Sequence, residues 1–218
     1  MVLWRVRYKL SLRDLPEMFL ERGLVFTHET VREWEAQLAP LLSEMLRKHR
    51  RGRIGASWYV DETYIKVKGR WTSLYRAIDR DGNHVDVLLS EKRDKAAAEA
   101  FFRSARTVTG NVPNRVTTDG HDSYPGAIKA ELGDAVRHRI NRYLNNQLEQ
   151  DHRGIKQRIR PMGGFKSVDS AKRFCRVRDE VRNFLRPRSC RNEIVSLAQR
   201  RLLHTARTRV LLTSLAAA

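Results

Sequence analysis

Apolar positions recur at helical spacing over the first fifty residues of this chain and at strand spacing soon afterwards, which predicts two kinds of structure in succession. In the first part, Asp14 and Glu17 have the spacing of a capping box and Pro16 suits a first turn, so a helix is expected from about Leu15 to Gly23. Thr27 can cap a second helix whose Val31, Trp34 and Leu38 share one apolar face, and Pro40 is expected to break or kink it near Ala39. Leu41, Leu42, Met45 and Leu46 then lead into the basic linker Arg47-Lys48-His49-Arg50-Arg51-Gly52-Arg53, so a boundary is expected within 50–55. From there, β-branched and aromatic runs predict strands over 57–68, 71–79 and 84–89, the last two joined by Asp79-Arg80-Asp81-Gly82-Asn83 as part of an antiparallel meander. A helix over 94–107, a strand over 115–118, a helix over 124–132 and a strand over 136–140 follow, and then a helix on which Leu148, His152 and Ile155 recur at intervals of four and three. A meander followed by alternating helices and strands reads as a mixed α/β sheet with helices on its faces.

That arrangement gives meaning to three acidic residues. Asp61 sits inside the first predicted strand, Asp119 ends the run Val116-Thr117-Thr118 where Gly120 turns the backbone, and Glu149 lies on the last predicted helix of the series. Two strand carboxylates and one helix carboxylate can converge on divalent metal. Mg²⁺ takes hard oxygen ligands and usually only one or two protein carboxylates per ion, so three carboxylates suit a pair of ions. Two ions roughly 3.5–4 Å apart assist in-line phosphoryl displacement, which points to a phosphodiester substrate.

Charge agrees with that substrate. Among 218 residues, 43 Lys and Arg stand against 25 Asp and Glu, a net charge of +18, and the pI is about 10.7. Such a field attracts polyanions. Much of the excess follows Glu149 directly, in Arg153, Lys156, Arg158, Arg160 and Lys166 and on to Arg191. Composition alone divides evenly between a basic protein with a solvated surface and an enzyme of nucleic acids, and the carboxylates favour the enzyme. With 41% hydrophobic residues the chain can bury a core. No apolar run is long enough for a membrane span, and charge interrupts any signal-like start, so a cytoplasmic protein is expected. Cys175 and Cys190, with no Cys/His cluster nearby, suggest reduced thiols rather than zinc or disulfide chemistry.

The helix, glycine turn and helix of the first part outline either a DNA-binding helix-turn-helix or a plain αα-hairpin. Glu29, Glu33 and Glu35 against the single Arg32 are an odd balance for a helix entering the major groove, and dimerisation is the competing role. In the second part, Glu62 alternates with Asp61 and points to the opposite face of a regular strand, so it is expected to be solvated or paired rather than a ligand. His121 and Asp122 are expected to cap the turn after Asp119, and Trp58, Tyr64, Trp71 and Tyr75 to be core or sheet residues rather than base-stacking platforms. On a helix at about 100° per residue, Glu149, Arg153 and Lys156 cluster on one face and Asp151 lies about 200° from Glu149, so only one of the two acids can face metal.

The motifs Asp61-Glu62-Thr63-Tyr64-Ile65-Lys66-Val67-Lys68-Gly69, Thr118-Asp119-Gly120, and Asn145 to Lys156 followed by Gly164-Phe165-Lys166-Ser167 together resemble the transposases of bacterial insertion sequences, within them insertion-sequence family six, over 11–187. The resemblance implies a ribonuclease-H-like catalytic domain over 54–190 with Asp61, Asp119 and Glu149 as acidic triad and metal ligands and Lys156 as the downstream basic partner. It further implies a helix-turn-helix module over 1–53 that binds terminal inverted repeats, and a basic C-terminal helix or tail over 191–218 completes the layout. The activity implied is metal-dependent DNA end cleavage and strand transfer using two Mg²⁺ ions, with Mn²⁺ as a substitute. Terminal repeats and target DNA would be the partners, engaged through Arg32, Arg153, Lys156, Arg158, Arg160 and Lys166 by a homodimer or higher oligomer. The competing classes are an inactive transposase-derived DNA-binding protein and a nuclease of the same fold. Only 29 residues separate Asp119 from Glu149, fewer than the family pattern usually has, so a short connector is expected before the last helix. Relatives carry a longer segment before Ser11, which leaves impaired end binding or a shortened copy as readings.

Overall fold

In the computed structural model, residues 1–141 and 146–216 are described, and they form two compact units, Arg47–Gly154 and Met1–Leu46 with Ile155–Ala218. The first unit is built on five strands, β1 (Ser57–Val67), β2 (Arg70–Asp79), β3 (His84–Ser90), β4 (Arg115–Thr118) and β5 (Arg137–Ile140), in the order β3-β2-β1-β4-β5. β1 pairs antiparallel with β2 and β2 with β3, whereas β4 lies parallel to both β1 and β5. This mixed sheet with flanking helices is the α/β arrangement expected from the sequence, meander first and parallel crossovers after.

The strands form where the alternation placed them. The turn into β3 is fixed by Asp79, whose carboxylate accepts from the backbone N–H of Gly55 and Asn83 at 3.0 and 2.9 Å, while Gly82 takes the positive φ of 80° that the reversal needs. Helix α4 (Lys95–Thr109) starts at Asp94, which accepts from the Ala97 N–H at 2.9 Å, and helix α5 is Ser123–Leu132. Trp58, Val60, Tyr75, Ala77 and Val116 of the sheet share one core with Phe101, Phe102, Tyr124 and Ile128 of these helices. Helix α6 is Asn146–Ile159; it begins six residues after Ile140, as the short connector required, and Asn145 lies outside the described residues.

The four aromatic residues singled out from the sequence all lie in strands, as expected, but only two of them reach the core. Trp58 and Tyr75 are buried, but Trp71 is 64% and Tyr64 43% exposed. Both stand near the tip of the β1–β2 hairpin, on the sheet face that α4 and α5 cover further along.

The second unit is all helical. It holds α1 (Val2–Arg7), α2 (Asp14–Leu20), α7 (Val168–Leu185), α8 (Leu197–Ala216) and most of α3 (His28–Arg50). Helix α1 was not expected from the sequence. The capping box of α2 closes one turn early: Ser11 Oγ accepts from the Asp14 N–H at 3.2 Å and Asp14 Oδ2 from the Ser11 N–H at 2.5 Å, so Asp14 is the returning acid rather than the cap. Gly23, at φ 73°, ends the turn after α2 as expected, and Thr27 Oγ1 accepts from the Thr30 N–H at 3.3 Å. Pro40 does not break α3. It lies on the exposed side, where a carbonyl left without its donor can meet water, while Ala39, Leu42 and Leu46 continue the buried stripe through it. That stripe packs with Val2, Leu3 and Val6 of α1, Val177 and Val181 of α7 and Leu211 of α8. Arg5 and Glu35 form a buried ion pair at 2.9 Å beneath it. No helix among the described residues is long and apolar enough to cross a membrane.

Candidate active site

The parallel pairing of β1 and β4 brings the two strand carboxylates abreast. Tyr59 is in register with Thr117, and Asp61 and Asp119 each follow two residues later, one inside its strand and the other just past the end of β4. Gly120 is needed at that end: its φ is 94°, and a Cβ there would stand 2.7 Å from Ile140 Cγ2. Asp119 Oδ1 accepts from the His121 N–H at 3.0 Å, and its side chain is one-third exposed at 33%. The capping of this turn falls to His121, whose Nδ1 lies 2.9 Å from Ser123 Oγ and 3.3 Å from the Ser123 N–H it accepts. Asp122 occupies the cap position of α5 without a side-chain cap bond, which corrects half of that expectation.

Helix α6 supplies the third side. Glu149 and His152 are one turn apart, and ligand atoms of Asp61, Glu149 and His152 all lie within 4.8 Å of one another. His152 Nδ1 is 3.9 Å from Asp61 Oδ2; the imidazole is buried and Glu149 is exposed. Burial first, then the charges of Glu62, Asp119 and Glu149, push the Asp61 carboxyl from 3.8 up to about 7, even though its Oδ1 accepts from the Glu62 N–H. The carboxylates of Asp119 and Glu149 close to that of buried Asp61 are a donor set suited to a hard cation.

Asp151 does not share that role. It points to the protein interior, 2.5 Å from Arg76 Nη2 and 3.1 Å from His84 Nε2, with all three side chains buried. Lys156, two turns after Glu149, is exposed, as are Arg153, Arg160, Lys166 and Arg32, the last paired with Glu29. Arg158 differs: half-buried, it donates to the Arg7 carbonyl, and burial, then Arg178 and Arg7, push its guanidinium down to about 10.

Three groups were missed by sequence reasoning. His152 fell in the apolar stripe with Leu148 and Ile155, although its spacing from Glu149 is the Glu-x-x-His spacing of helical metal sites. Arg93 and Tyr124 carried no signal at all. Glu62, on the sheet face opposite Asp61, is paired as expected: it forms an ion pair with Arg93 and accepts from the Tyr124 hydroxyl. Arg93 Nη2 also lies 3.8 Å from Asp119 Oδ2, so a single guanidinium spans the Glu62 face and the edge of the carboxylate cluster.

Known proteins are similar to this chain over most of its length. The family model DDE_Tnp_IS240, a DDE domain, matches residues 55–187. The transposase of insertion sequence-like element IS431mec of Staphylococcus aureus is 40% identical over 171 residues, which is 77% of this chain and 74% of that one. The transposase of insertion sequence element IS257 in transposon Tn4003, also from Staphylococcus aureus, is 39% identical over the same shares. Among solved structures, the HTLV-2 integrase catalytic core domain in complex with magnesium aligns at a TM-score of 0.46 and 16% identity, covering 71% of this chain and 99% of that one. On the family match and the identity to both transposases, this chain belongs to the DDE transposases of insertion sequences, as its resemblance to family six implied.

Proposed function

We propose that this transposase performs metal-dependent cleavage at the ends of its element and then transfers the freed strand to target DNA, with Asp61, Asp119 and Glu149 as the metal-holding triad. The observation that carries the reading is the gathering of Asp61, Glu149 and His152 ligand atoms within 4.8 Å, with Asp119 abreast of Asp61 on the neighbouring strand. A pair of Mg²⁺ ions, or Mn²⁺ in their place, would supply Lewis acidity to the attacking and leaving oxygens of an in-line displacement. The chain's own residues do the positioning. Asp61 and Asp119 present oxygens from a rigid sheet, Glu149 closes the site from α6, and His152 offers a nitrogen donor held by burial beside Asp61. In the first step water attacks the phosphodiester at the element's end and the 3′ oxygen leaves as a hydroxyl; in the second that hydroxyl loses its proton and attacks a target phosphodiester, the new P–O bond joining element to target as the target's own P–O3′ bond breaks and its 3′ oxygen leaves as a hydroxyl.

DNA is the partner, reached through exposed Arg153, Lys156, Arg160 and Lys166 together with half-buried Arg158, and Lys156 is the basic partner of the triad. The pair α2 and α3, with Arg32, forms the helix-turn-helix that recognises terminal inverted repeats, and the protein acts as a dimer or higher oligomer on DNA. Incubating the protein with Mg²⁺, a labelled element end and a plasmid target tests the reading: covalently joined product is expected, and none with EDTA. Cleavage without joining would reduce the activity to that of a nuclease.

A further inference from the structure

Beyond the carboxylates, the β1–β2 hairpin carries a surface that the catalytic reading leaves unused. Lys68 and Gly69 connect the strands with positive φ at both positions, 51° and 77°, the two-residue turn that matches strand twist and locks register. In that register Lys66 faces Trp71 and Tyr64 faces Ser73, and Lys66 Nζ lies 5.0 Å from the centre of the Trp71 ring. Glu62, Tyr64 and Lys66 alternate along β1 and share a face, while Asp61, Thr63, Ile65 and Val67 between them are buried on the other. Where α4 and α5 cover the shared face, its aromatic residues Trp58 and Tyr75 are fully buried; past Glu62 the cover ends, and Tyr64 and Trp71 stand in solvent. A tryptophan 64% exposed on a rigid hairpin is unusual, and its surroundings are cationic rather than apolar: Lys66, Lys68 and Arg70 are all exposed. Arg93, bound to Glu62, continues the same face toward Asp119.

We propose that the open end of this hairpin is a stacking ledge for an unpaired nucleobase of a DNA strand that runs from the carboxylate site, with Trp71 and Tyr64 giving the ring faces and Lys66, Lys68 and Arg70 meeting the adjoining phosphates. Aromatic faces accept any base, and flanking cations take the backbone, which is how single strands are held without sequence preference. Charge argues against a second copy of this chain as the occupant, because a self-complementary contact would set the same cations against each other. The inference rests on DNA being the substrate, but not on the chemistry of the triad.

Binding of full-length protein, in EDTA, to a short oligothymidylate and to a fully paired duplex of equal length tests it without any cleavage. Trp71→Ala should weaken oligothymidylate binding roughly 5- to 100-fold while duplex binding and the salt slope change little, and Trp71→Phe should keep most of the affinity. A 2-aminopurine in a single-stranded probe should lose fluorescence on binding the wild type and less on binding Trp71→Ala. Equal losses on both DNAs, or none on either, overturn the ledge. Loss of a dimer in Trp71→Ala with single-strand affinity intact assigns the surface to a second copy instead. Failure of strand joining with the binding difference intact leaves the ledge standing and removes the transposition chemistry.

Discussion

Asp151 Oδ2 lies 2.5 Å from Arg76 Nη2 with both side chains buried, so the acid two residues after Glu149 is committed to holding α6 against the sheet. Breaking a buried ion pair by neutralising one member costs about 3–5 kcal/mol. Asp151→Asn is therefore expected to lower the melting temperature sharply while cleavage per folded molecule survives at low temperature. Glu149→Gln, on an exposed side chain, should melt like the wild type. Thermal melts of the two variants check the contrast, and equal melting temperatures would show that the Arg76 pair is not what Asp151 is for.

Stability should fall as pH rises through the acid range in the metal-free protein. Asp61 ionises near 3.8 when unfolded but only at about 7 in the fold, chiefly through burial and then the Glu62 charge. Between those values the folded state binds the extra proton, so the stabilisation is complete below 3.8 and is lost progressively up to about 7, by at most about 1.4 kcal/mol per pH unit. Divalent metal, which replaces that proton, should raise the melting temperature at neutral pH and barely at pH about 4. Asp61→Asn should flatten the pH dependence and abolish the metal effect. Chemical denaturation across this range with and without Mn²⁺ reads both.

The strands were legible because alternation and turn residues agree, from the β-branched run around Asp61 to the Asp79 turn and the Asp94 cap. Asp61 and Asp119 could be assigned to a strand and a strand end from their local runs, whereas the parallel pairing of β1 and β4 that sets them abreast depends on tertiary packing and was not legible. What α4 and α5 fail to cover was not legible: strand propensity gives Trp71 and Trp58 the same reading, although only one is roofed over. Pro40 misled because a local rule met a continuous apolar stripe, and packing won. His152 hid in another stripe. Arg93 lies in a polar loop where only three-dimensional proximity to Glu62 and Asp119 reveals it.

For the basic segment after Glu149, neutralising Arg153, Arg160 or Lys166 one at a time should weaken binding about equally on unrelated duplexes. Each should lower the magnitude of the log K against log salt slope by about 0.9 for every phosphate that the side chain no longer neutralises. Titrations at several salt concentrations measure this, and an unchanged slope would make these exposed cations a solvated surface.

Joining of a labelled element end to target DNA in Mg²⁺, at saturating DNA and with folding of each variant checked, tests the central claim most directly. Asp61→Ala, Asp119→Ala and Glu149→Gln should each reduce joined product by roughly a thousandfold or more, the equivalent of about 4 kcal/mol of transition-state stabilisation, while DNA affinity stays largely intact. Wild-type levels of joined product from any one of the three would contradict its place in the triad.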